Sequence, residues 1–563
     1  MSMRLLVRLL ASSLLLVPGI ASARAADPVG EVDKLLAPWS KPDAPGCAVS
    51  VARDGQLLHA RGYGAANVEA GIANTPDTAF HIASLSKQFT AFAVLLLQAE
   101  GKLALADDVR KYVPELHRFA RPITLAQLMH HSSGLRDQLS LFWLQGRRGE
   151  DSITQQDALR VIFGQRELNF APGTAFGYSN SNYTLLALVV ERVSGRSFAD
   201  FLAERVFRPL GMDHSYVVDD YHRMRAGQAM PYAPGGKEDA PGVRPPERRF
   251  LPYATYGSTG IRSTAADLAR WARNFAEPGV GTKAVITEML KADPVTGYGG
   301  GLHIGRHRGA PITGHSGIDP GFVGHFLVMP EQRLSVALIC NVEGEDPAAL
   351  ARRIADLYLG KAPADPAPRP EVALAPAELL RLAGKYRDPL GAGFLIEARE
   401  GRLWMQGFDP MIPHGAGAFS MKSAPVAIRF SGEVPARTLT IDGPGGLLVA
   451  TRYVRQPATA LTPARMGDYL GTYYSPELAI LVTVERRSDA LWIVGPGWES
   501  RISQPPEKYR ERDTFDTDTV TGTVRFHRDV RGKVTELRST NGRIVNLRFL
   551  RVTGLPRLGA VGG

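Results

Sequence analysis

A serine and a lysine stand three residues apart in Ser84-Leu85-Ser86-Lys87, and the stretch from Gln88 to Leu97 that follows is apolar. On a helix, positions i and i+3 share a face, so the Ser84 hydroxyl and the Lys87 amine can converge. A hydroxyl becomes a nucleophile when a nearby base takes its proton, and an amine whose ammonium form is disfavoured can be that base. The positive end of the helix dipole disfavours the ammonium form. The spacing is typical of a nucleophilic serine, but also of an ordinary helix start with a solvated lysine.

Two further segments combine polar residues with glycines. In Phe176-Gly177-Tyr178-Ser179-Asn180, the polar residues precede a predicted helix near Asn182 to Val193, a rigid support for their side chains. A tyrosine becomes a usable base only beside cations that favour the phenolate. Gly314-His315-Ser316-Gly317-Ile318 leads into two predicted strands. Its glycines allow the backbone to approach a ligand closely, where an N–H group can stabilise an oxyanion.

In this order, the segments at Ser84, Tyr178 and His315 resemble the three active-site motifs of the penicillin-recognising serine hydrolases. The most similar branch is the class C β-lactamase-related proteins, with D-aminopeptidases, D,D-carboxypeptidases and related esterases. Flanking segments fit the same family, among them His130 to Leu135 and Ser258 to Thr264. The resemblance covers about residues 30 to 360, and it implies an acyl-enzyme mechanism without a cofactor.

The resemblance implies catalytic roles for three residues. Ser84 attacks the substrate carbonyl, and Lys87 and Tyr178 share the proton transfers, with Lys87 lowering the pKa of Tyr178. The sequence leaves open which of the two takes the first proton, as in other S-x-x-K enzymes.

Substrate-binding roles follow from the same resemblance. Asn180 would hydrogen-bond Lys87 and the substrate amide. The backbone N–H groups of Ser84 and Ile318 would form the oxyanion hole. His315 and Gly317 would line the opposite wall.

His315 departs from the family pattern, because many relatives have a lysine at this position. A neutral histidine is a weaker partner for a substrate carboxylate than a fixed positive charge. The substitution therefore favours an aminopeptidase, amidase or esterase over a β-lactamase, unless a neighbour holds His315 protonated.

The elements that must position these residues alternate between helix and strand from about residue 30 to 360. Cys47 to Arg53 and Leu57 to Gly62 read as a hairpin joined by Asp54-Gly55, and two strands near Phe322 to Met329 and Leu334 to Cys340 close the region. Strands at both ends with helices between them predict an α+β domain of the β-lactamase/transpeptidase type with one antiparallel sheet.

After a proline-rich stretch the chain changes to short strands with an internal repeat, which predicts two small antiparallel β-barrel (lipocalin-like) domains. Gly384, Tyr386 and Trp404 recur as Gly471, Tyr473 and Trp492. The predicted organisation is a signal peptide at 1–26, a catalytic domain at 27–360, a linker at 361–372, and barrels at 373–457 and 458–553. This architecture is similar to that of D-aminopeptidases, which implies a barrel loop that reaches the cleft.

Composition sets the expected location and partners. Basic residues, a short apolar run and small residues before Asp27 predict a cleaved secretory signal and a periplasmic or secreted protein. The formal charge of +10 is spread along the chain without a basic run beside aromatic residues, so nucleic-acid binding is not expected. The expected partners are a small-molecule or short-peptide substrate and, at most, a second copy of the chain in a homodimer. No integral membrane segment is expected after signal cleavage.

The two cysteines leave two readings open. An exported protein can pair Cys47 with Cys340, but two buried free thiols fit the apolar runs around them equally well. No zinc-type cluster or H-E-x-x-H pattern is present, so no metal is expected.

The sequence thus predicts a serine hydrolase for small amides or esters, with D-amino-acid-containing peptides as the expected substrates. One alternative is a class C β-lactamase. The other is an envelope binding protein with a vestigial site, which the intact set of Ser84, Lys87, Tyr178 and Asn180 argues against.

Overall fold

A computed structural model describes residues 27–223, 225–234, 246–344, 346–360, 370–387, 393–405, 410–415, 417–421, 427–432, 438–442, 451–455, 466–488, 490–503, 513–517 and 521–552. The predicted signal peptide and most of the predicted linker lie outside these residues. No helix within the described ranges is both long and apolar enough to cross a membrane.

The described residues between 27 and 360 form an α+β unit. Its helices are α1 (Pro28–Leu36), α2 (Ser86–Ala99), α3 (Leu125–Met129), α4 (Gln138–Leu144), α5 (Gln155–Gly164), α6 (Asn180–Ser194), α7 (Phe198–Leu202), α8 (Ala265–Ala276), α9 (Lys283–Leu290) and α10 (Pro347–Leu359). Its strands are β1 (Cys47–Arg53), β2 (Gln56–Tyr63), β3 (Ala65–Asn67), β4 (Ile72–Ala73), β5 (Phe80–His81), β6 (Ile153–Thr154), β7 (Tyr216–Val217), β8 (Tyr232–Ala233), β9 (Glu247–Arg248), β10 (Tyr253–Ala254), β11 (Ile261–Ser263), β12 (His303–His307), β13 (Ala310–Asp319), β14 (Phe322–Met329) and β15 (Leu334–Cys340).

Six of these strands form one antiparallel sheet in the order β12-β13-β14-β15-β1-β2. The first and last strands of the unit therefore pair, as the sequence pattern predicts. Helices α1 and α10 pack on one face, and α8 packs on the other together with the buried α2. Helix α2 is buried on all sides from Ser86 to Leu97, which explains its almost continuous apolar sequence.

Cys47 and Cys340 lie directly opposite each other on β1 and β15 and form a disulfide. Their Cα atoms are 3.9 Å apart although 293 residues separate them in sequence. The pairing of the two cysteines is thus settled in favour of the disulfide.

Two closed antiparallel barrels of eight strands each follow, which confirms the predicted fold class. The first contains α11 (Pro376–Leu382), β16 (Gly384–Arg387), β17 (Gly393–Arg399), β18 (Arg402–Met405), β19 (Pro410–Pro413), β20 (Ala418–Met421), β21 (Ala427–Ser431), β22 (Thr438–Asp442) and β23 (Thr451–Arg455). The second contains α12 (Met466–Tyr469), β24 (Gly471–Ser475), β25 (Ile480–Arg487), β26 (Ala490–Gly495), β27 (Trp498–Ser503), β28 (Thr514–Thr517), β29 (Thr523–Arg528), β30 (Val534–Asn541) and β31 (Ile544–Arg551).

The repeated tyrosine and tryptophan occupy equivalent places in the two barrels. Tyr386 and Tyr473 each donate a hydrogen bond to the carbonyl oxygen four residues earlier, at 2.7 and 2.8 Å. Trp404 faces Glu397 across β17 and β18, and Trp492 faces Glu485 across β25 and β26. The internal repeat in the sequence therefore corresponds to a repeated structural unit.

The second barrel packs against the α+β unit through a shared apolar core. Leu141, Phe142 and Leu144 of α4 belong to the same buried cluster as Tyr473 and other barrel residues. The buried cluster of the first barrel consists of residues of that barrel and α11. The second barrel, rather than the first, thus covers the apolar residues of α4.

Candidate active site

Ser84 lies on a 3-10 turn, Ala83–Leu85, directly before α2, which begins at Ser86. The sequence pattern predicts that Ser84 and Lys87 share one face of a helix. Ser84 lies on the 3-10 turn instead, and this turn brings the two side chains together as a helix would. The turn packs against β13 at Gly317, where a Cβ atom would lie 2.4 Å from the Ile82 carbonyl oxygen. Glycine is therefore required for the strand to approach Ser84, and it brings the next residue, Ile318, beside the serine turn.

The C-terminal part of β13 extends past its neighbour β12, so one edge of that part is not paired with another described strand. The pairing of β12 with β13 stops at Gly314, whereas β14 pairs with β13 as far as Asp319. Among the described strands, the part of β13 from His315 to Asp319 therefore has a neighbour on one side only. An extended substrate can lie along this edge, where Ile318 is 65% exposed.

Lys87 is fully buried, and its amine contacts three oxygen atoms. Nζ lies 3.0 Å from Ser84 Oγ, 2.8 Å from Asn180 Oδ1 and 2.7 Å from the Ser258 carbonyl oxygen. Burial lowers the pKa of Lys87 to about 7, so the neutral amine is available near neutral pH. A neutral amine has two N–H groups, which Asn180 and Ser258 accept, and one lone pair, which is left for the Ser84 hydroxyl proton.

Tyr178 donates a hydrogen bond to Ser84 Oγ at 3.0 Å. Burial raises the pKa of Tyr178 above its ordinary value, and the hydrogen bond to Ser84 and the charge of Arg543 offset this only in part. The expectation that Lys87 lowers this pKa is therefore wrong, because loss of solvent dominates over nearby charge. A raised pKa favours the protonated form of the Tyr178 phenol, which suits this group to giving a proton rather than to taking the first one.

Asn180 is held in place by a residue that the sequence analysis did not identify. Asp137 Oδ1 accepts hydrogen bonds from the Asn180 backbone N–H at 2.7 Å and from its side-chain Nδ2 at 2.9 Å. This orients Asn180 Oδ1 toward Lys87. Asp137 is also the N-cap of α4, which is the role that its sequence position suggests.

His315 lies near Tyr178, with the two ring centroids 6.2 Å apart. Its Nδ1 donates a hydrogen bond to the Ser316 carbonyl oxygen at 2.5 Å, and its ring stacks on His303 at 4.8 Å. Burial and the neighbouring His303 and Lys87 hold the pKa of His315 well below its ordinary value. This direction favours the neutral imidazole, because the neighbouring His303 and Lys87 side chains lower the pKa of His315 rather than raise it.

A turn of the second barrel reaches the site, as the architectural resemblance implies. The turn joins β30 to β31, and its Arg543 guanidinium carbon lies 5.0 Å from the centroid of the Tyr178 ring. The Asn541-Gly542 pair signals a hairpin turn in the sequence. Nothing in the sequence shows that this turn faces Tyr178, since that depends on how the barrel docks.

A buried ion pair fixes the docked barrel. Arg136 is fully buried, and its Nη1 contacts Glu477 Oε2 at 3.0 Å while its Nη2 donates to the Val545 carbonyl oxygen at 3.1 Å. Arg136 directly precedes Asp137. The barrel is thus connected to Lys87 through Arg136, Asp137 and Asn180.

The site thus brings Ser84, Lys87, Tyr178 and Asn180 into direct contact, with His315 and Gly317 beside them. The oxyanion hole of Ser84 and Ile318 stays a prediction. Within the described residues, no three His, Cys, Asp or Glu side chains are grouped so that they could hold a metal ion.

Comparisons with known proteins agree with this geometry. The profile of the family described as Beta-lactamase matches residues 32–359. A D-aminopeptidase of Gluconobacter oxydans (strain 621H) is 32% identical over 306 residues, which cover 53% of this chain and 56% of that protein. A D-aminopeptidase of Cereibacter sphaeroides (strain KD131) is 28% identical over 480 residues, or 82% of this chain and 85% of that protein. The octameric penicillin-binding protein homologue from Pyrococcus abyssi has a TM-score of 0.54 and 25% identity, over 76% of this chain and 99% of that one.

Proposed function

Because this chain belongs to the beta-lactamase family, we propose that it is a serine hydrolase of the D-aminopeptidase type that cleaves short peptides or amides containing D-amino acids. The observation that carries the proposal is the set of three contacts around Lys87 Nζ, which leaves the amine lone pair for the Ser84 proton. The D-aminopeptidases of Gluconobacter oxydans and Cereibacter sphaeroides support the substrate class.

In the first half of the reaction, Ser84 Oγ attacks the substrate carbonyl carbon, and the hydroxyl proton moves to Lys87 Nζ. The negative charge that develops on the carbonyl oxygen is stabilised by the backbone N–H groups of Ser84 and Ile318. When the tetrahedral intermediate collapses, the scissile C–N bond breaks and the leaving nitrogen takes a proton from the Tyr178 hydroxyl.

In the second half, water attacks the acyl-enzyme. The Tyr178 oxygen regains a proton from Lys87, so that the amine is again free to accept a proton from the water. When the second intermediate collapses, the bond between the carbonyl carbon and Ser84 Oγ breaks, Lys87 returns its proton to Oγ, and the acid is released. Asn180 contributes by fixing the direction of the Lys87 lone pair, and its side chain also faces the bound amide.

We also propose that residues 1–26 direct export and are removed, and that the mature protein works in the periplasm or outside the cell. The signal-like sequence supports this location. The Cys47–Cys340 disulfide supports it independently, since such bonds persist in oxidising compartments.

Covalent labelling tests the nucleophile. We expect a D-alanyl p-nitrophenyl ester to add one acyl group to the protein, and peptide mapping by mass spectrometry to place it on Ser84. Ser86, two residues away and buried, is a matched control because its Oγ accepts a hydrogen bond from the Ile261 N–H at 3.2 Å. Ser86→Ala should keep the adduct, and Ser84→Ala should lose it.

Several outcomes of this labelling experiment, and of turnover assays run beside it, contradict the proposal. No adduct with D-esters, L-esters or β-lactams would support a binding protein with a vestigial site. Faster turnover of nitrocefin than of D-alanyl p-nitroanilide would favour a class C β-lactamase. Faster turnover of the L-alanyl than of the D-alanyl anilide would refute the D-specificity.

The pH dependence follows from the pKa of Lys87, which burial lowers to about 7. The amine must be unprotonated to accept the Ser84 proton. We therefore expect kcat/KM to rise about tenfold per pH unit below that pKa and to level off above it, for as long as other groups do not titrate. A rate profile on a neutral substrate measures this. A midpoint near the ordinary lysine pKa would show that the amine is not the base in its buried, neutral form.

A further inference from the structure

Arg543 is a positive charge at the site, and the ion pair described for it, with the buried Asp137, is a long one. Its side chain is 45% exposed, and the nearest carboxylate oxygen recorded for it, Asp137 Oδ2, is 3.7 Å from Nη1. That distance is too long for a good hydrogen bond. Asp137 already accepts from Asn180 and from Ser140. The guanidinium therefore has N–H groups available for a ligand.

The backbone around Arg543 is held firmly from both sides. Asn541 Oδ1 accepts hydrogen bonds from the Arg543 and Ile544 N–H groups at 3.3 and 3.1 Å. The Arg543 carbonyl oxygen accepts one from Asn169 Nδ2 at 3.1 Å, and Asn169 Oδ1 accepts one from the Val545 N–H at 2.8 Å. The position of this charge is thus built into the contact between the barrel and the α+β unit.

The chemistry sets which part of a substrate lies near Arg543. The leaving group must reach the Tyr178 hydroxyl, and Arg543 lies over the Tyr178 ring. The acyl group then extends the other way along β13, toward Asp319. Asp319 is a carboxylate that contacts His81 Nε2 at 2.7 Å and accepts a hydrogen bond from Thr259 at 2.7 Å. The end of the site that receives the leaving group therefore has the positive charge of Arg543, and the end that receives the acyl group has the negative charge of Asp319.

We propose that Arg543 is a specificity-determining residue that binds the carboxylate of the leaving D-amino acid, so that free D-dipeptides are preferred over the matching amides. The assignment rests on the proposed function. In a dipeptide, the carboxylate is attached to the carbon next to the leaving nitrogen, close to Tyr178. A guanidinium can bind it through two parallel N–H bonds. A neutral His315 does not provide a charge for this purpose. Arg543 would supply, from the β30–β31 turn, the positive charge that many family members have as a lysine at the His315 position.

The test compares D-alanyl-D-alanine with D-alaninamide on the full-length protein. The wild type should have the higher kcat/KM on the dipeptide. Arg543→Gln should lose about 10- to 100-fold on the dipeptide, mainly through KM, and change less than about threefold on the amide. Arg543→Lys, which keeps the charge but not the paired N–H groups, should fall between the two. Free D-alanine should inhibit the wild type more strongly than Arg543→Gln.

Arg548→Gln is the matched control, because Arg548 is a similarly exposed arginine of β31 whose Nε pairs with Glu536 at 2.7 Å. It should leave both substrates unchanged. The assignment would be overturned if Arg543→Gln left the ratio of kcat/KM on the dipeptide to kcat/KM on the amide unchanged, whether through equal losses on both or through no loss. In that case the wild type would still be active. Failure of the proposed function looks different, since neither substrate would turn over and Ser84 would not be labelled in the wild type.

Discussion

Replacing Lys87 with methionine is expected to lower kcat for D-alanyl p-nitroanilide by about 10³-fold with little change in KM. The Ser84 hydroxyl would lose the lone pair that accepts its proton, 3.0 Å away. Methionine is similar to the lysine stem in length and apolar character, so it can fill the same buried space. Steady-state kinetics on the purified variant would measure the effect.

Folding of the Lys87 variant needs its own control. Methionine leaves Asn180 Oδ1 and the Ser258 carbonyl oxygen without their donor, but it also removes a buried amine. Because burial lowers the pKa of Lys87 to about 7, the unfolded chain binds more protons above that pH, and this residue's contribution to stability rises with pH toward its ordinary pKa. Denaturation curves at several pH values should therefore show a smaller rise of the free energy of unfolding with pH for the variant than for the wild type. A folded variant that kept more than about a tenth of the wild-type rate would show that another group is the base.

Removing the carboxylate of Glu477 is expected to lower the free energy of unfolding by about 3–5 kcal/mol. Its partner Arg136 is fully buried, and the Glu477 side chain is only 5% exposed. Glu477 Oε2 lies 3.0 Å from Arg136, closer than the 39% exposed Glu167 carboxylate at 3.8 Å. Glu477→Ala would leave the buried Arg136 charge at the contact between the second barrel and the α+β unit with the more distant carboxylate of Glu167, whose Oε2 lies 3.8 Å from Nη2. The midpoint of guanidinium denaturation, with activity followed in parallel, would measure this loss.

Glu499→Ala provides the comparison for this prediction. Glu499 also pairs with an arginine of the same barrel, Arg487, at 2.9 Å, but both side chains are about half exposed, at 41% and 51%. An exposed pair of this kind contributes at most about 1 kcal/mol. Equal shifts of the midpoint in the two variants would contradict the view that the Arg136–Glu477 pair holds the barrel in place.

Local and ordered patterns in the sequence predicted much of the site. The S-x-x-K spacing predicts the Ser84–Lys87 contact, because that contact depends on a single turn of the chain. The order of the three motifs indicates the sheet that carries His315. The matching tyrosines of the two barrels were also visible, because each makes a bond within its own repeat.

The parts that the sequence did not predict depend on contacts between distant segments. Asp137 reads as an ordinary helix cap, and its bonds to Asn180 arise only when α4 and α6 meet. Arg543 belongs to another unit altogether. The direction of the Tyr178 pKa was also mispredicted, because a list of neighbouring charges does not show how completely a side chain is removed from water. The two cysteines could be paired only after β1 was placed beside β15.

The Cys47–Cys340 disulfide turns part of the polypeptide into a closed covalent ring of which Ser84, Tyr178 and His315 are all members. Arg543 lies outside that ring, on an open tail. A protease that cuts inside the ring leaves the two pieces joined, whereas a cut between the ring and the second barrel leaves the barrel attached by non-covalent contacts alone. Ser84, the proposed nucleophile, thus stays covalently joined to Tyr178 and His315 after a single cut, whereas Arg543, the proposed selector of the substrate, can be separated from them.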